Sequence, residues 1–281
     1  MIGQNNILSW VNDNVDNFPH FIVLIGSSGC GKRTLSKVIA NKLSCVYAEC
    51  SVTVDAVREV IDSSYQSKTR VLYCFADADN MRPQAKNAML KITEEPPENA
   101  YFCLTVTDSS SLLDTIKSRA MVFNMEAYTE REIAEYAIDK YNSSEYNPAA
   151  KDDLPIIKQL CGTPGEVNML VSYEPRAFMD YVQLVFENIA EVEPANAFKS
   201  SNKLALKNDE GYDLALFLKG FTYFCIKAIS PDDDLDKTHR LCEGIIVTTK
   251  ALNKVGKLGV NKQQLYDKWV FEIREKWLES N

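Results

Sequence analysis

Phe21-Ile-Val-Leu-Ile25-Gly26-Ser-Ser-Gly29-Cys-Gly31-Lys32-Arg33-Thr34 is the stretch that decides the fold. Five apolar residues end in glycine, which reads as a short buried strand. The Gly-x-x-x-x-Gly-Lys run that follows opens a helix expected to reach about Leu43. A turn of this kind lets backbone N–H groups converge on phosphate oxygens. The helix N-terminus favours negative charge there, and Lys32 adds a point charge. Gly26, Gly29, Gly31, Lys32, Arg33 and Thr34 are therefore the candidate nucleotide-binding residues of this loop. The alternative, a glycine-rich turn without a ligand, weighs less once a strand and a helix flank it. One position departs from the pattern. The residue after the lysine is ordinarily Ser or Thr, which ligates Mg²⁺, and here it is Arg33. Thr34 comes one place late. With ~3.6 residues per turn, that shift swings the side chain by about 100°, so Thr34 is not expected to substitute well.

Outward from the loop, strands and helices alternate. Cys45-Val-Tyr-Ala-Glu49 reads as a second strand, Val54 to Tyr65 as a helix, and Val71-Leu-Tyr-Cys-Phe75 as a third strand. Pro83 suits the first turn of a helix that Pro96-Pro97 stops. Tyr101-Phe-Cys-Leu-Thr-Val106 and Met121-Val-Phe-Asn-Met125 complete five strands. Strands separated by helices imply an α/β fold with a parallel sheet covered on both faces. Asp77 and Asp79 fall at the C-terminal end of the third strand, the edge where open α/β sheets bind ligands. Metal-assisted attack on a γ-phosphate needs one acid near Mg²⁺ and another to orient water. Asp77 is the candidate for that chemistry, but its side chain is shorter than the usual glutamate. Ala76 stands where the magnesium-holding aspartate is expected. Helix capping before Met81-Arg-Pro83 accounts for the two aspartates equally well.

After Met125 the strand signals fade. Thr129-Glu-Arg-Glu132 has the form of a capping box and opens a helix to about Tyr141. Asn142-Ser-Ser-Glu-Tyr-Asn-Pro148 reads as a polar linker, and two more helices bracket Gly162-Thr-Pro-Gly165. Further on, Leu214, Leu218, Phe221 and Cys225 form one apolar stripe, and Trp269, Ile273 and Trp277 another. The expected organisation is an α/β domain over 1–125, a small helical domain over 126–172 and an all-α domain over 173–281. The run Asp232-Asp-Asp-Leu-Asp236 reads as a solvated loop and helix N-terminus, where carboxylates suit the dipole.

The chain of 281 residues is 46% hydrophobic and 25% charged, the balance of an ordinary globular protein. It has no apolar run near the roughly 20 residues that span a bilayer, so a cytoplasmic location and no membrane partner are expected. Its net charge of −8 argues against autonomous tight nucleic-acid binding, which needs several cations set against phosphates. Eight cysteines are scattered with no Cys-x-x-Cys pair, so neither zinc nor a disulfide framework is expected. They read as small buried hydrophobes.

Lys32-Arg-Thr-Leu, the stretch Asp77-Ala-Asp-Asn-Met-Arg-Pro-Gln-Ala-Lys-Asn-Ala-Met-Leu-Lys-Ile-Thr-Glu-Glu-Pro-Pro97, and Ser118-Arg119-Ala120 together resemble the clamp-loader branch of the AAA+ ATPases. The likeness is strongest to its bacterial-type delta-prime subunits. It is strong over about 20–125, weaker through the helical lid, and survives beyond that chiefly in Leu258-Gly-Val-Asn261-Lys-Gln-Gln-Leu265 of a collar domain. The resemblance implies that Ala76 falls on the Walker B aspartate and Asp77 on its glutamate, leaving that motif degenerate. It places Thr107 at the sensor-1 position, and Gly165 where the sensor-2 arginine is expected. It puts Ser118-Arg119 on the Ser-Arg-Cys motif, whose arginine reaches into a neighbouring subunit's ATP site. Ala120 replaces the cysteine of that motif. A zinc module that often follows the phosphate loop in bacterial relatives is missing.

The function implied is a stator that offers Arg119 in trans and does not hydrolyse ATP by itself. Its implied ligands are ATP or ADP, with Mg²⁺ held weakly and no zinc. Its implied partners are other clamp-loader subunits in a hetero-oligomer of five, a sliding clamp, and primer–template DNA within the complex. Two alternatives stand beside it. A working clamp-loader ATPase of gamma/tau type is compatible with Lys32 and Asp77. A small-molecule P-loop kinase would need an arginine-rich lid, and 126–172 offers only Arg131.

Overall fold

The computed structural model describes residues 2–143, 150–190, 200–207, 210–257 and 259–278. The chain forms two compact units, one of Met1–Tyr136 with Gly162–Gly165, the other of Ala137–Cys161 with Glu166–Asn281.

The first unit is built on five parallel strands: β1 (Phe21–Ile25), β2 (Val46–Cys50), β3 (Val71–Phe75), β4 (Ala100–Val106) and β5 (Met121–Asn124). Their spatial order is β2-β3-β4-β1-β5. Strand side chains alternate between faces, and both faces here are covered, so the central strands read as continuous apolar runs. Phe21, Val23, Phe75, Phe102 and Leu104 pack on one side with Val57, Met89 and Ile116. Ile22, Leu24, Cys74 and Cys103 pack on the other with Leu35, Ile39 and Val11. β2 lies at an edge, and its Val46 is 59% exposed, which is why its apolar signal is weaker than that of β3 or β4.

The flanking helices are α1 (Asn5–Asp13), α2 (Lys32–Lys42), α3 (Val54–Ser64), α4 (Pro83–Ala88), α5 (Leu90–Glu94) and α6 (Asp114–Lys117). The single helix expected from Pro83 to Pro96 is realised as α4 and α5. Between them the Met89 N–H is shared by the carbonyls of Ala85 and Lys86, a local tightening that breaks the regular ladder. Glu95, next to Pro96, leaves the helical region at φ −131° and ψ 72°, as the following proline ring requires. Gln4 joins distant parts of this unit. Its side-chain amide donates to the Glu126 carbonyl at 2.9 Å and accepts from the Glu126 N–H at 2.9 Å.

Next come α7 (Glu130–Ser143), α8 (Ala150–Leu160), α9 (Pro164–Ser172), α10 (Pro175–Asn188), α11 (Leu214–Ala228), α12 (Leu235–Leu252) and α13 (Lys262–Leu278). The capping box is made: the Glu132 carboxylate accepts from the Thr129 N–H at 2.9 Å, and the Glu132 N–H donates to Thr129 Oγ1 at 3.3 Å. Helix α7 continues through Ser143, so Asn142 and Ser143 are helical rather than the start of the linker. The rest of that linker, and Leu258, lie outside the described residues.

In the second unit the expected stripe of α11 is fully buried: Leu214, Leu218, Phe221 and Cys225 are each at most 1% exposed. Phe217 and Phe221 meet Trp269 of α13 edge-on, at centroid separations of 5.5 and 4.8 Å. That geometry suits the ring quadrupoles. The indole N–H donates to Thr248 Oγ1 of α12 at 3.0 Å, so the one polar atom of the buried ring is satisfied.

Asp234 caps α12, its carboxylate accepting from the Lys237 N–H at 2.6 Å. Asp234→Ala is expected to cost about 1 kcal/mol, the usual value of such a cap. The loss should appear as a lower denaturant midpoint for helical unfolding, and an unchanged midpoint would show that the cap is not formed in solution.

Candidate functional site

The phosphate loop springs from the middle of the sheet, since β1 lies between β4 and β5. The Gly26 N–H donates to the Val106 carbonyl at 3.1 Å, and the Met125 N–H donates to the Ile25 carbonyl at 2.7 Å. The loop mouth is thus tied to both neighbouring strands. Gly29 and Gly31 take φ values of +75° and +93°, in the left-handed region that glycine enters without steric cost. Gly31 is the N-cap of α2, and Lys32 its first residue.

Carbonyls of the loop accept from protein donors on several sides. The Lys32 ammonium donates to Gly26 O at 2.6 Å and to Ser27 O at 2.9 Å. The Gly165 N–H donates to Gly29 O at 3.0 Å, and the Tyr128 hydroxyl to Cys30 O at 2.7 Å. Lys32 is 7% exposed. Burial pushes the Cys30 thiol up, with the Lys32 charge opposing, so this thiol is protonated at neutral pH.

On the acidic side, the structure brings Arg33 and Asp77 together. The Arg33 guanidinium lies 2.7 Å from the Asp77 carboxylate and 3.4 Å from that of Glu49. All three side chains are about half exposed, so each contact contributes only ~0–1 kcal/mol. Its importance is chemical. Arg33 supplies no oxygen, Ala76 none, and the Asp77 carboxylate already faces a cation. This donor set does not fit a magnesium ion, which asks for oxygen ligands in near-octahedral array. Asp77 sits at φ +55°, and its N–H donates to the buried Thr105 Oγ1 at 3.0 Å. Asp79 accepts from the Thr107 N–H at 2.8 Å, joining the end of β3 to the end of β4. Asp77 makes no side-chain capping bond, so the capping explanation of these aspartates is not realised at Asp77. Thr34 is exposed on α2.

Arg119 lies in the turn between α6 and β5, apart from this loop in sequence. Its guanidinium pairs with Glu94 at 3.0 Å. It also donates to the Thr115 carbonyl at 3.2 Å and to Ser118 Oγ at 3.4 Å. Motif spacing located Lys32 and Asp77, and the family resemblance singled out Arg119. Neither gave a sign of Glu49, Glu94, Tyr128 or Gly165 as partners, because those pairings join residues far apart in sequence. Among the described residues no cluster of three or more His, Cys, Asp or Glu side chains could hold a metal ion.

The parallel sheet with its central phosphate loop and helical continuation defines the fold of an AAA+ protein. A Thermotoga maritima RuvB mutant aligns over 97% of this chain and 88% of its own at a TM-score of 0.55 and 17% identity. A gamma subunit-related protein of DNA polymerase III from Thermotoga maritima aligns over 96% and 99%, at 0.52 and 18%. At such identities these likenesses bear on fold alone. The family model described as DNA polymerase III, delta subunit, matches residues 49–129. The DNA polymerase III subunit gamma of Buchnera aphidicola (subsp. Acyrthosiphon pisum) is 27% identical over 169 residues, 48% of this chain and 47% of that protein. The delta-prime subunit of Haemophilus influenzae is 31% identical over 144 residues, 40% and 44% respectively. These sequence matches, all over part of the chain, support placing it with the clamp-loader AAA+ proteins. The chain spans about half the length of the curated relatives it matches.

Proposed function

We propose that this chain is a clamp-loader subunit of the delta-prime kind: a stator that does not turn over ATP and lends Arg119 to a neighbouring motor. The observation that carries this reading is the acidic edge of the site. Ala76 offers no carboxylate, and Arg33 places a guanidinium 2.7 Å from Asp77, where a motor needs a divalent cation and a free acid. In this reading residues 1–125 form the AAA+ domain, 126–172 the lid and 173–281 a collar that joins five subunits into an open ring. Motor subunits bind ATP, the ring opens a sliding clamp around primer–template DNA, and hydrolysis releases both. Arg119 works at the neighbour's phosphates, where a guanidinium meets charge developing in the transition state. ATP or ADP at this chain's own loop is at most weakly held.

Steady-state ATP hydrolysis by the purified chain, with Lys32→Ala as control, tests this. The stator reading expects no turnover that depends on Lys32. Turnover abolished by Lys32→Ala would sink it and favour a motor of gamma/tau type. One observation keeps that second reading in view: relatives named gamma match over as much of the chain as the delta-prime relative does. Reconstitution with a finger-bearing neighbour extends the test, because a motor lacking its neighbour's arginine is also slow.

A further inference from the structure

The phosphate loop carries its own lysine and a foreign backbone as ligands. Two of the three N–H donors of the Lys32 ammonium are spent on Gly26 O and Ser27 O. A lysine that serves phosphate must reach outward to the β and γ groups, so it must first give up these bonds. Across the loop, the backbone of Gly165 lies directly against the backbone of Gly29. A Cβ built at Gly165 would stand 2.6 Å from Gly29 Cα and 3.1 Å from Gly29 O. A Cβ at Gly29 would stand 2.9 Å from Thr163 Oγ1 and 3.1 Å from Gly165 Cα. Only two glycines can meet this closely, and their contact is sealed by the hydrogen bond from Gly165 N–H to Gly29 O at 3.0 Å.

We propose that the Gly29–Gly165 contact is an autoinhibitory clasp, which holds the loop in a state liganded by Lys32 and makes nucleotide binding depend on its release. The missing arginine and the clasp then have one cause. Any side chain at 165, arginine included, would collide with Gly29, so this chain has exchanged a nucleotide contact for a contact that shuts the loop. The inference rests on reading residues 26–32 as a phosphate loop and adds a gate to the stator proposed above.

The energetic logic is that of a population shift. If the open loop is a minor state, apparent affinity falls by its fraction, and a change that removes the closed state restores it. Gly165→Ala puts a methyl group where none fits and should force the start of α9 off the loop. Titration with methylanthraniloyl-ADP is the experiment, on the full chain, Gly165→Ala, Lys32→Ala and the double variant. Gly165→Ala should tighten binding by about tenfold or more, the gain expected when the closed state holds roughly nine molecules in ten. The double variant should lose that gain, because the freed ammonium supplies it. Unchanged or weaker binding by a Gly165→Ala protein with an intact circular-dichroism spectrum overturns the clasp and leaves the stator reading standing. Lys32-dependent ATP turnover by the wild type would instead remove the stator and leave the clasp to be judged by the titration. Hydrogen exchange on the wild-type chain gives a readout that needs no variant. The Gly165 amide should be protected without nucleotide and lose protection at saturating ADP. Fast exchange without nucleotide, or protection retained in a bound complex, overturns the proposal.

Discussion

Arg119→Ala should leave the fold intact and slow ATP turnover by the assembled clamp loader by about 10³-fold or more, the usual effect of removing an arginine finger. Two magnitudes decide this. In the isolated chain Arg119 is held by Glu94, but the two side chains are 39% and 58% exposed. Such an ion pair contributes only ~0–1 kcal/mol, so losing it barely touches stability and breaking it costs the finger little. The bonds from Arg119 to Thr115 O and Ser118 Oγ are solvent-facing and equally exchangeable. Acting as proposed at a neighbour's transition state, the same guanidinium would contribute ~4–7 kcal/mol, the equivalent of 10³–10⁵ in rate. The measurement is single-turnover hydrolysis by a loader reconstituted with wild-type or Arg119→Ala chain, alongside a melting curve of each. Equal turnover with both proteins would remove Arg119 from the catalytic account. Arg119→Lys should rescue poorly, since an ammonium lacks the planar fork.

The largest stability effect is expected at Trp269. Its ring is 1% exposed, wedged between Phe217 and Phe221 of α11 and bonded to Thr248 of α12. Trp269→Ala should cost about 3–5 kcal/mol, the range for removing a large aromatic from a packed interior. It also takes the indole donor from Thr248 Oγ1, an oxygen on a residue with no solvent access. Thermal unfolding followed by far-UV circular dichroism should show the helical transition lowered by on the order of 10 °C. Phe271, on the same helix but 64% exposed, provides the contrast. Phe271→Ala should change stability by no more than about 0.5 kcal/mol. Equal effects at the two positions would mean that the packing of α13 differs in solution.

Much of the α/β domain was legible because its signals are local. Buried central strands announce themselves as apolar runs, and β1, β3, β4 and β5 were found within a residue or so at either end. Pro83 marked a helix start, and Thr129 with Glu132 marked another. The break at Met89 was not legible, because a shared hydrogen bond leaves no compositional trace. Neither was the length of α7, whose last turn runs into Asn142 and Ser143, residues that also suit a loop. The expectation that the cysteines are small buried hydrophobes holds for Cys30, Cys74, Cys103, Cys161 and Cys225 but not for the exposed Cys242.

The candidate site was legible in its parts and not in its connections. Spacing identified Lys32, and the displaced threonine made Arg33 an anomaly. What Arg33 does instead depends on Asp77 and Glu49, 44 and 16 positions away, and no periodicity links them. Gly165 illustrates the same limit. In the sequence it registers as an arginine that is lacking. In three dimensions it is a glycine that is required, because Gly29, 136 positions earlier, occupies the space a side chain would need.

The bond pair between Gln4 and Glu126 has a mechanical consequence. The stretch of chain that carries the whole sheet leaves and returns through one point, fastened by two hydrogen bonds in parallel on a side chain that is 3% exposed. A pull applied across residues 4 and 126 is borne by this fastening, and the strands carry no load while it holds. Gln4→Ala is expected to lower the unfolding force measured between those two points.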